Sequence, residues 1–142
     1  MILLVGWLVP FGALAASTHC SPTSMSQADS PALDEPFSLR VGESSEIADT
    51  DLLLTFVEVP QDSRCPEDVN CIVAGEAIVV FEARSSGERQ ELTFEVPPGG
   101  SDFLAHAEFT VSIQRLEPPT KAGEPIDPSS YVAELVVARR GS

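Results

Sequence analysis

The stretch IVAGEAIVVFEARSSGERQELTFEV, residues 72–96, contains two runs in which apolar residues recur at every second position. In the first run five residues share one face: Val73, Ala77, Val79, Phe81 and Ala83. In the second run the apolar residues are Leu92, Phe94 and Val96. A period of two is typical of strands with one buried face, and SSGE between the runs suits a tight turn. The stretch predicts a β-hairpin, and Gly75 indicates a bulge or close packing.

Further runs of the same kind lie on both sides of this hairpin. They are FSLRV (37–41), a short piece near SSEIA (44–48), DLLLTFVEV (51–59), AEFTVSIQRL (107–116) and SYVAELVVA (130–138). DLLLTFVEV is apolar on both faces, which predicts a central strand. No window has a convincing helical period. Six or seven short strands in about 100 residues predict an all-β fold, either an antiparallel β-sandwich or a small barrel.

The N-terminal residues predict export. Residues 1–19 begin with an uncharged apolar run that ends in ALAAS, which is typical of a cleaved export signal, although no Lys or Arg precedes the run. Residues 20–36 are rich in Ser and Pro and predict a flexible tether. Cys20 is a possible lipidation site, although His19 stands where a small residue is expected. We therefore expect a β-domain at 37–140, in the cell envelope or outside the cell.

The charge of the chain argues against two classes of partner. The sequence has 22 acidic and 8 basic residues, for a formal net charge of −14 at pH 7. Nucleic acid and anionic lipid surfaces both require clustered Lys and Arg. We expect the protein to bind neither nucleic acid nor a cofactor. We expect it to contact a membrane only through a lipid anchor at Cys20. The expected partner is a protein or a small ligand.

Two of the three cysteines, Cys65 and Cys71, lie in DSRCPEDVNC (62–71). A zinc or redox site favours the spacing C-x-x-C, which is absent here. A cysteine nucleophile would need a histidine as its base, and His106 is the candidate. A disulfide suits an exported chain, and Pro66 favours the turn that brings the sulfurs together. We therefore predict a disulfide between Cys65 and Cys71.

Loop residues supply the candidate binding surface. If successive strands are antiparallel, the connections 60–71 and 97–105 share one end of the fold, whereas SSGE and the connection EPPTKAGEPIDPS (117–129) share the other. The first end then carries the candidate residues Asp62, Arg64, Asp102 and Phe103. We expect Asp62 and Arg64 to bond with each other and with backbone groups of their own loop. We expect Phe103 and Leu104 to plug the end of the core. His106 is expected to be an exposed structural histidine.

Sequence signatures of enzymes are missing. There is no G-x-S-x-G, no H-E-x-x-H and no phosphate-binding glycine loop, so we assign neither catalytic nor metal-binding residues. A binding module without enzymatic activity is the leading prediction. The alternative is a small hydrolase or inhibitor with its site at the end that carries the cysteines.

The segment Asp62-Ser63-Arg64-Cys65-Pro66, followed by Cys71 and Gly75, resembles a family of bacterial exported proteins and lipoproteins. The similarity extends over about residues 37–138, and only the cysteine segment is specific. An aromatic residue often precedes the glycine in that family, where this chain has Val73. The resemblance implies a small β-domain of the cell envelope and no particular activity.

Overall fold

The computed structural model describes residues 30–100 and 102–141. These residues form eight β-strands and one short 3₁₀ helix, Pro128–Ser130. The strands are β1 (Phe37–Arg40), β2 (Ser44–Glu46), β3 (Leu53–Asp62), β4 (Ala77–Ser85), β5 (Glu88–Val96), β6 (Asp102–His106), β7 (Phe109–Glu117) and β8 (Val132–Arg139). Within the described residues no helix is long and apolar enough to span a membrane.

The strands form two four-stranded sheets. The first sheet has the order β1-β8-β7-β6, and the second has the order β2-β3-β4-β5. All neighbouring strands are antiparallel. The predicted antiparallel β-sandwich is therefore confirmed. The strand count exceeds the prediction by one strand, β6, which has only five residues.

The core lies between the two sheets. Its largest fully buried side chains are phenylalanines from three strands of the second sheet and one of the first: Phe56, Phe81, Phe94 and Phe109. The rings of Phe56 and Phe81 stack with centroids 4.6 Å apart, and Phe94 meets Phe81 edge-on at 5.7 Å. Such pairs add to the stabilisation from burial alone. β3 is buried on one face rather than two, since Val57 is 42% exposed.

The hairpin predicted from residues 72–96 is present, but its first strand begins later than predicted. β4 starts at Ala77, and its turn places Ser86 and Gly87 at positive φ, 53° and 78°. The carboxylate of Asp51 accepts hydrogen bonds from the Ser86 N–H at 2.6 Å and the Ser85 hydroxyl at 2.8 Å. Residues 72–76 belong to the preceding loop.

β6 was missed by the sequence analysis, which assigned 97–105 to a connection. The extra strand reverses the direction of the chain, so the connection between β7 and β8 begins at the end where β3 finishes. The prediction that this connection lies at the opposite end, with SSGE, is wrong. It lies against the segment that carries the cysteines, as its hydrogen bonds with Arg64 and Glu67 show.

The domain begins before residue 37. The Ala48 N–H donates to the Pro31 carbonyl at 2.9 Å, the Asp34 N–H donates to Val137 at 2.8 Å, and Leu33 packs on the core. Residues 31–36, which were expected to belong to the tether, are therefore attached to the sandwich. The predicted export signal, most of the tether and Cys20 lie outside the described residues.

Candidate functional site

Two loops meet at one end of the sandwich. The disulfide loop, residues 63–76, joins β3 to β4, and the proline loop, residues 118–131, joins β7 to β8. Cys65 and Cys71 form the predicted disulfide, with their Cα atoms 5.9 Å apart. This separation is ordinary for a disulfide. Both sulfurs are used in the bond, so neither cysteine is a nucleophile.

The base of the disulfide loop continues the ladder between β3 and β4. The Ser63 N–H donates to the Glu76 carbonyl at 2.8 Å, and the Cys65 N–H donates to Ala74 at 2.7 Å. Gly75 lies between these bonds with φ of 66°, and a Cβ there would be 1.8 Å from the Ser63 carbonyl oxygen. Gly75 therefore allows two backbone segments to approach closely, as the sequence indicated, although it lies in the loop and not in the strand.

Arg64 and Asp62 form a buried ion pair beneath this loop. Their side chains are only 6% and 8% exposed. The guanidinium donates from Nε to Asp62 Oδ1 at 2.9 Å and from Nη2 to Oδ2 at 2.6 Å. The Arg64 backbone N–H also donates to Oδ1, at 3.1 Å. A two-pronged pair of this kind holds both groups in one orientation.

The same guanidinium connects the two loops. Arg64 donates to the Leu116 carbonyl at 2.8 Å and to the Pro118 carbonyl at 2.9 Å. The Tyr131 hydroxyl, at the end of the proline loop, donates to Asp62 at 3.1 Å. The expectation that Asp62 and Arg64 bond internally is confirmed. Most of the further hydrogen-bond partners of this ion pair, however, come from the proline loop.

Backbone contacts strengthen the junction between the loops. The Thr120 hydroxyl donates to the Arg64 carbonyl at 3.1 Å, and the Glu67 N–H donates to the Thr120 carbonyl at 3.0 Å. The Ala122 N–H donates to Asp68 Oδ1 at 2.9 Å. The two loops are therefore one connected structure, which we call the loop junction.

Electrostatics at the loop junction follow from these contacts. Burial acts to raise the pKa of the Asp62 carboxyl, but hydrogen bonds from Arg64 and its positive charge outweigh burial and bring the pKa below its ordinary value. Burial, followed by the charge and hydrogen bond of Asp62, raises the pKa of Tyr131 to about 12. The junction therefore favours an ionised Asp62 and a neutral Tyr131.

The outer part of the disulfide loop exposes apolar side chains. Ile72 is fully exposed, Val73 is 78% exposed and Val69 is 43% exposed. We call these three residues the loop apex. The prediction that Val73 lies on a buried strand face is wrong, because the backbone ladder that continues β3 and β4 ends at Cys65 and Ala74. Beyond that pair the chain leaves the sandwich.

Two other residues of the predicted surface do not join the loop junction. Asp102 begins β6, and its carboxylate accepts from the Glu95 N–H at 3.0 Å and from the Phe103 N–H at 2.8 Å. Phe103 is 69% exposed on the outer side of β6. The expectation that Phe103 plugs the core is wrong, because strand alternation turns its side chain away from that of Leu104, which packs on the core.

His106 is buried and not exposed as predicted. It is 2% exposed at the end of β6, where its Nδ1 lies 2.8 Å from Gln90 Oε1. Nε2 has no hydrogen-bond partner among the described residues. His106 lies at the opposite end of β6 from Asp102, and four residues of strand span about 13 Å. It therefore supplies no general base to the loop junction.

The grooves beside the loop junction are small. Four grooves around it measure between 100 and 330 Å³; three are below the lower limit for pockets that enclose small ligands, about 300 Å³, and the fourth is just above it. Among the described residues no three His, Cys, Asp or Glu side chains are placed to hold a metal ion. Comparisons with protein-family models, curated proteins and solved structures found no match. The loop apex is the strongest candidate contact surface at this end.

Proposed function

We propose that this protein is a non-enzymatic binding module of the cell envelope or the extracellular space, and that it contacts a protein partner through the loop apex. The apolar N-terminus, the disulfide and the resemblance to exported bacterial proteins support the location. The exposed Ile72 and Val73 support the mode of binding.

A single observation carries the proposal: two adjacent, strongly exposed apolar residues stand on a loop that is held rigidly from below. Isolated exposed apolar residues are common on soluble proteins, whereas clustered ones indicate an interaction surface. Ile72 directly follows Cys71 of the disulfide, and Arg64 and Gly75 hold the base of the loop. A rigid loop loses little conformational entropy on binding, which favours affinity.

Charge defines the kind of partner. Glu67 and Asp68 are exposed beside the loop apex, and the one basic residue of the loop, Arg64, is buried and paired. Together with the net charge of −14, this opposes anionic membranes and nucleic acid. The complementary partner is a protein with an apolar pocket and a basic rim. If that partner is a protease, the module is an inhibitor, which is one of the two activities in the alternative prediction of a small hydrolase or inhibitor.

The test begins with identification of the partner in cells that naturally produce the protein. The variant Ile72→benzoylphenylalanine is irradiated, and the protein cross-linked through position 72 is identified by mass spectrometry. The matched control is Val57→benzoylphenylalanine. Val57 is also exposed and apolar, but it lies on β3 and not in the disulfide loop. A cross-link specific to position 72 is expected.

The purified partner is then titrated with the Ile72→Ser/Val73→Ser double variant and with Val57→Ser. Burying a Val or Ile side chain contributes about 1.5–3 kcal/mol, so the double variant should bind at least about tenfold more weakly. Val57→Ser should bind like the native protein. Equal affinity of the double variant and the native protein, or no cross-link at position 72, refutes the proposal.

A further inference from the structure

The two most exposed residues of the loop apex lie on a short arch that runs from Cys71 to Ala74, and both ends of this arch are attached to one residue. Cys71 is bonded to Cys65 through the disulfide. Ala74 accepts a hydrogen bond of 2.7 Å from the backbone N–H of the same Cys65. Between the two ends the backbone bends at Ile72 and Val73, and both side chains are exposed there.

The backbone of the arch is free to bind. Among the described residues, no group forms a hydrogen bond with the backbone N–H and C=O groups of Cys71, Ile72 and Val73. The turn of the disulfide loop is closed earlier, where the Val69 N–H donates to the Pro66 carbonyl at 3.3 Å. A peptide in an extended cleft is recognised by hydrogen bonds to its backbone and by pockets for its side chains, and endopeptidases bind peptides in this way. The arch offers both kinds of contact, whereas an ordinary apolar patch offers only side chains.

We propose that the arch is an inhibitory loop for a serine endopeptidase of the elastase type, with Ile72 in the S1 pocket and the Ile72–Val73 peptide bond at the catalytic serine. This inference rests on the proposed function, because it names the partner of the loop apex. Ile72 is fully exposed and carries neither charge nor ring. Such a side chain suits the small apolar pocket of an elastase better than a pocket with a buried carboxylate.

The attachment of both ends to Cys65 favours inhibition over digestion. In the acylation step the protease serine oxygen bonds to the Ile72 carbonyl carbon and the bond to the Val73 nitrogen breaks, while the serine proton passes through the protease histidine to that nitrogen. The new amine does not diffuse away, because the next residue, Ala74, is still bonded to Cys65. The acyl group is held by the same residue through the disulfide. The reverse reaction, which restores the peptide bond and returns the proton to the serine, therefore competes with hydrolysis.

The surroundings of the arch also suit a protease inhibitor. Arg64 fixes the disulfide loop to the proline loop through its hydrogen bonds with the carbonyls of Leu116 and Pro118. A loop that is already rigid loses little conformational entropy when the protease binds. Glu67 and Asp68 are exposed in the same loop, so a protease with a basic rim around its cleft is favoured.

Inhibition of purified proteases by the purified protein tests the proposal. The target enzymes are pancreatic elastase and neutrophil elastase, and trypsin is the control enzyme. The native protein should inhibit at least one of the two elastases with an inhibition constant of about 1 μM or lower. It should not inhibit trypsin, whose S1 pocket requires a basic side chain.

The variant Ile72→Arg should exchange these specificities. It should inhibit trypsin and bind the elastase at least about a hundredfold more weakly than the native protein does. The matched control is Val57→Arg on β3, which should act like the native protein. Failure of the native protein to inhibit both elastases, or failure of Ile72→Arg to inhibit trypsin, overturns the proposal.

The role of the disulfide is tested with the Cys65→Ser/Cys71→Ser double variant. Without the covalent link the acyl group is no longer held, so the elastase should cut the Ile72–Val73 bond and inhibition should fade with time. Mass spectrometry locates the cut. Inhibition as lasting as that of the native protein contradicts the mechanism.

Failure of this inference is distinguishable from failure of the proposed function. A partner cross-linked through position 72 that is not a serine protease supports the proposed function and contradicts the inhibitory role. Inhibition of an elastase without any cross-linked partner in the producing cells contradicts the proposed function and supports the inhibitory role.

Discussion

The hydroxyl of Tyr131 donates a hydrogen bond of 3.1 Å to the carboxylate of Asp62, although 69 residues separate them in the chain. The same carboxylate receives two bonds from the Arg64 side chain. Arg64 in turn donates to the carbonyls of Leu116 and Pro118. These three side chains therefore hold the disulfide loop and the proline loop in one fixed arrangement, on which the presentation of the loop apex depends.

Replacing Arg64 with Ala should destabilise the fold by about 3–5 kcal/mol, because it leaves the carboxylate of Asp62 buried without its charge partner. It also removes the donor to two carbonyls. Urea denaturation followed by circular dichroism measures the loss. The control is Arg84→Ala, since Arg84 is 52% exposed in a surface pair with Glu82 and should leave the midpoint nearly unchanged.

The double variant Asp62→Ala/Arg64→Ala should be less destabilised than the sum of the two single variants. Each single change strands a buried charge, whereas the double change removes both. Strict additivity would show that the two groups contribute independently, contrary to the geometry of the pair.

Gly75→Ala should destabilise the disulfide loop strongly, because a Cβ would be 1.8 Å from the Ser63 carbonyl oxygen at a φ of 66°. Gly87→Ala is the matched control, since Gly87 also has a positive φ, 78°, but has nothing within 4 Å of the added atom. Gly87→Ala should cost only about 1 kcal/mol, for the left-handed backbone. Urea midpoints of both variants, together with proteolysis of the loop, provide the comparison. Similar losses in the two would mean that the close approach to Ser63 is not important.

Tyr131 is the only tyrosine of the chain, so the ultraviolet absorbance of tyrosinate reports on it alone. Its pKa is raised to about 12 in the fold from an ordinary value of 10.0. A raised pKa means that the folded state favours the neutral phenol. Its contribution to stability is complete below pH 10 and is lost as the pH rises toward 12.

An alkaline titration followed by absorbance and circular dichroism should therefore show tyrosinate appearing well above pH 10. Asp62→Asn removes the negative charge that, after burial, helps to raise the pKa of Tyr131, and it should move the midpoint toward the ordinary value. A midpoint near 10 in the folded native protein contradicts this account.

The sequence predicted the sandwich and most of its core because a period of two directly reflects one buried face. The sequence did not predict β6, which has only five residues. The aromatic residue of this strand, Phe103, lies on the outer face, so the inner face has few apolar residues to mark a strand. Missing one strand reversed the expected position of the proline loop. The error propagated because the direction of every later strand depends on the number before it.

The candidate site was predictable in part. Asp62 and Arg64 are two residues apart, and their pairing follows from local geometry. The acceptor carbonyl of Leu116 lies 52 residues from Arg64, and no local pattern indicates it. Ile72 and Val73 were assigned to a strand because their apolar side chains continue the pattern of β4. The signal that separates them from the strand is Gly75, whose positive φ interrupts the extended chain.

Loss of the disulfide should lower stability moderately without abolishing the fold. Closing a seven-residue loop contributes about 2 kcal/mol in the chain-entropy model, and the ladder bonds and Arg64 still hold the base of the loop. The Cys65→Ser/Cys71→Ser double variant should therefore fold, unfold at lower urea concentration and be cleaved faster within residues 66–74. Unchanged resistance of the loop to protease would mean that the disulfide does not contribute to its rigidity.

His106 should be replaceable by Leu with a gain in stability. Its Nε2 is buried and has no hydrogen-bond partner among the described residues, and a buried unpartnered polar atom is unfavourable. His106→Leu removes that atom, while Gln90, which is exposed, can bond to water instead. We expect a gain of about 1 kcal/mol in the free energy of unfolding. Gln90→Ala should have the opposite effect, because it leaves Nδ1 as well without a partner. If His106→Leu proves more destabilising than Gln90→Ala, the imidazole contributes favourable interactions that outweigh its unpartnered nitrogen.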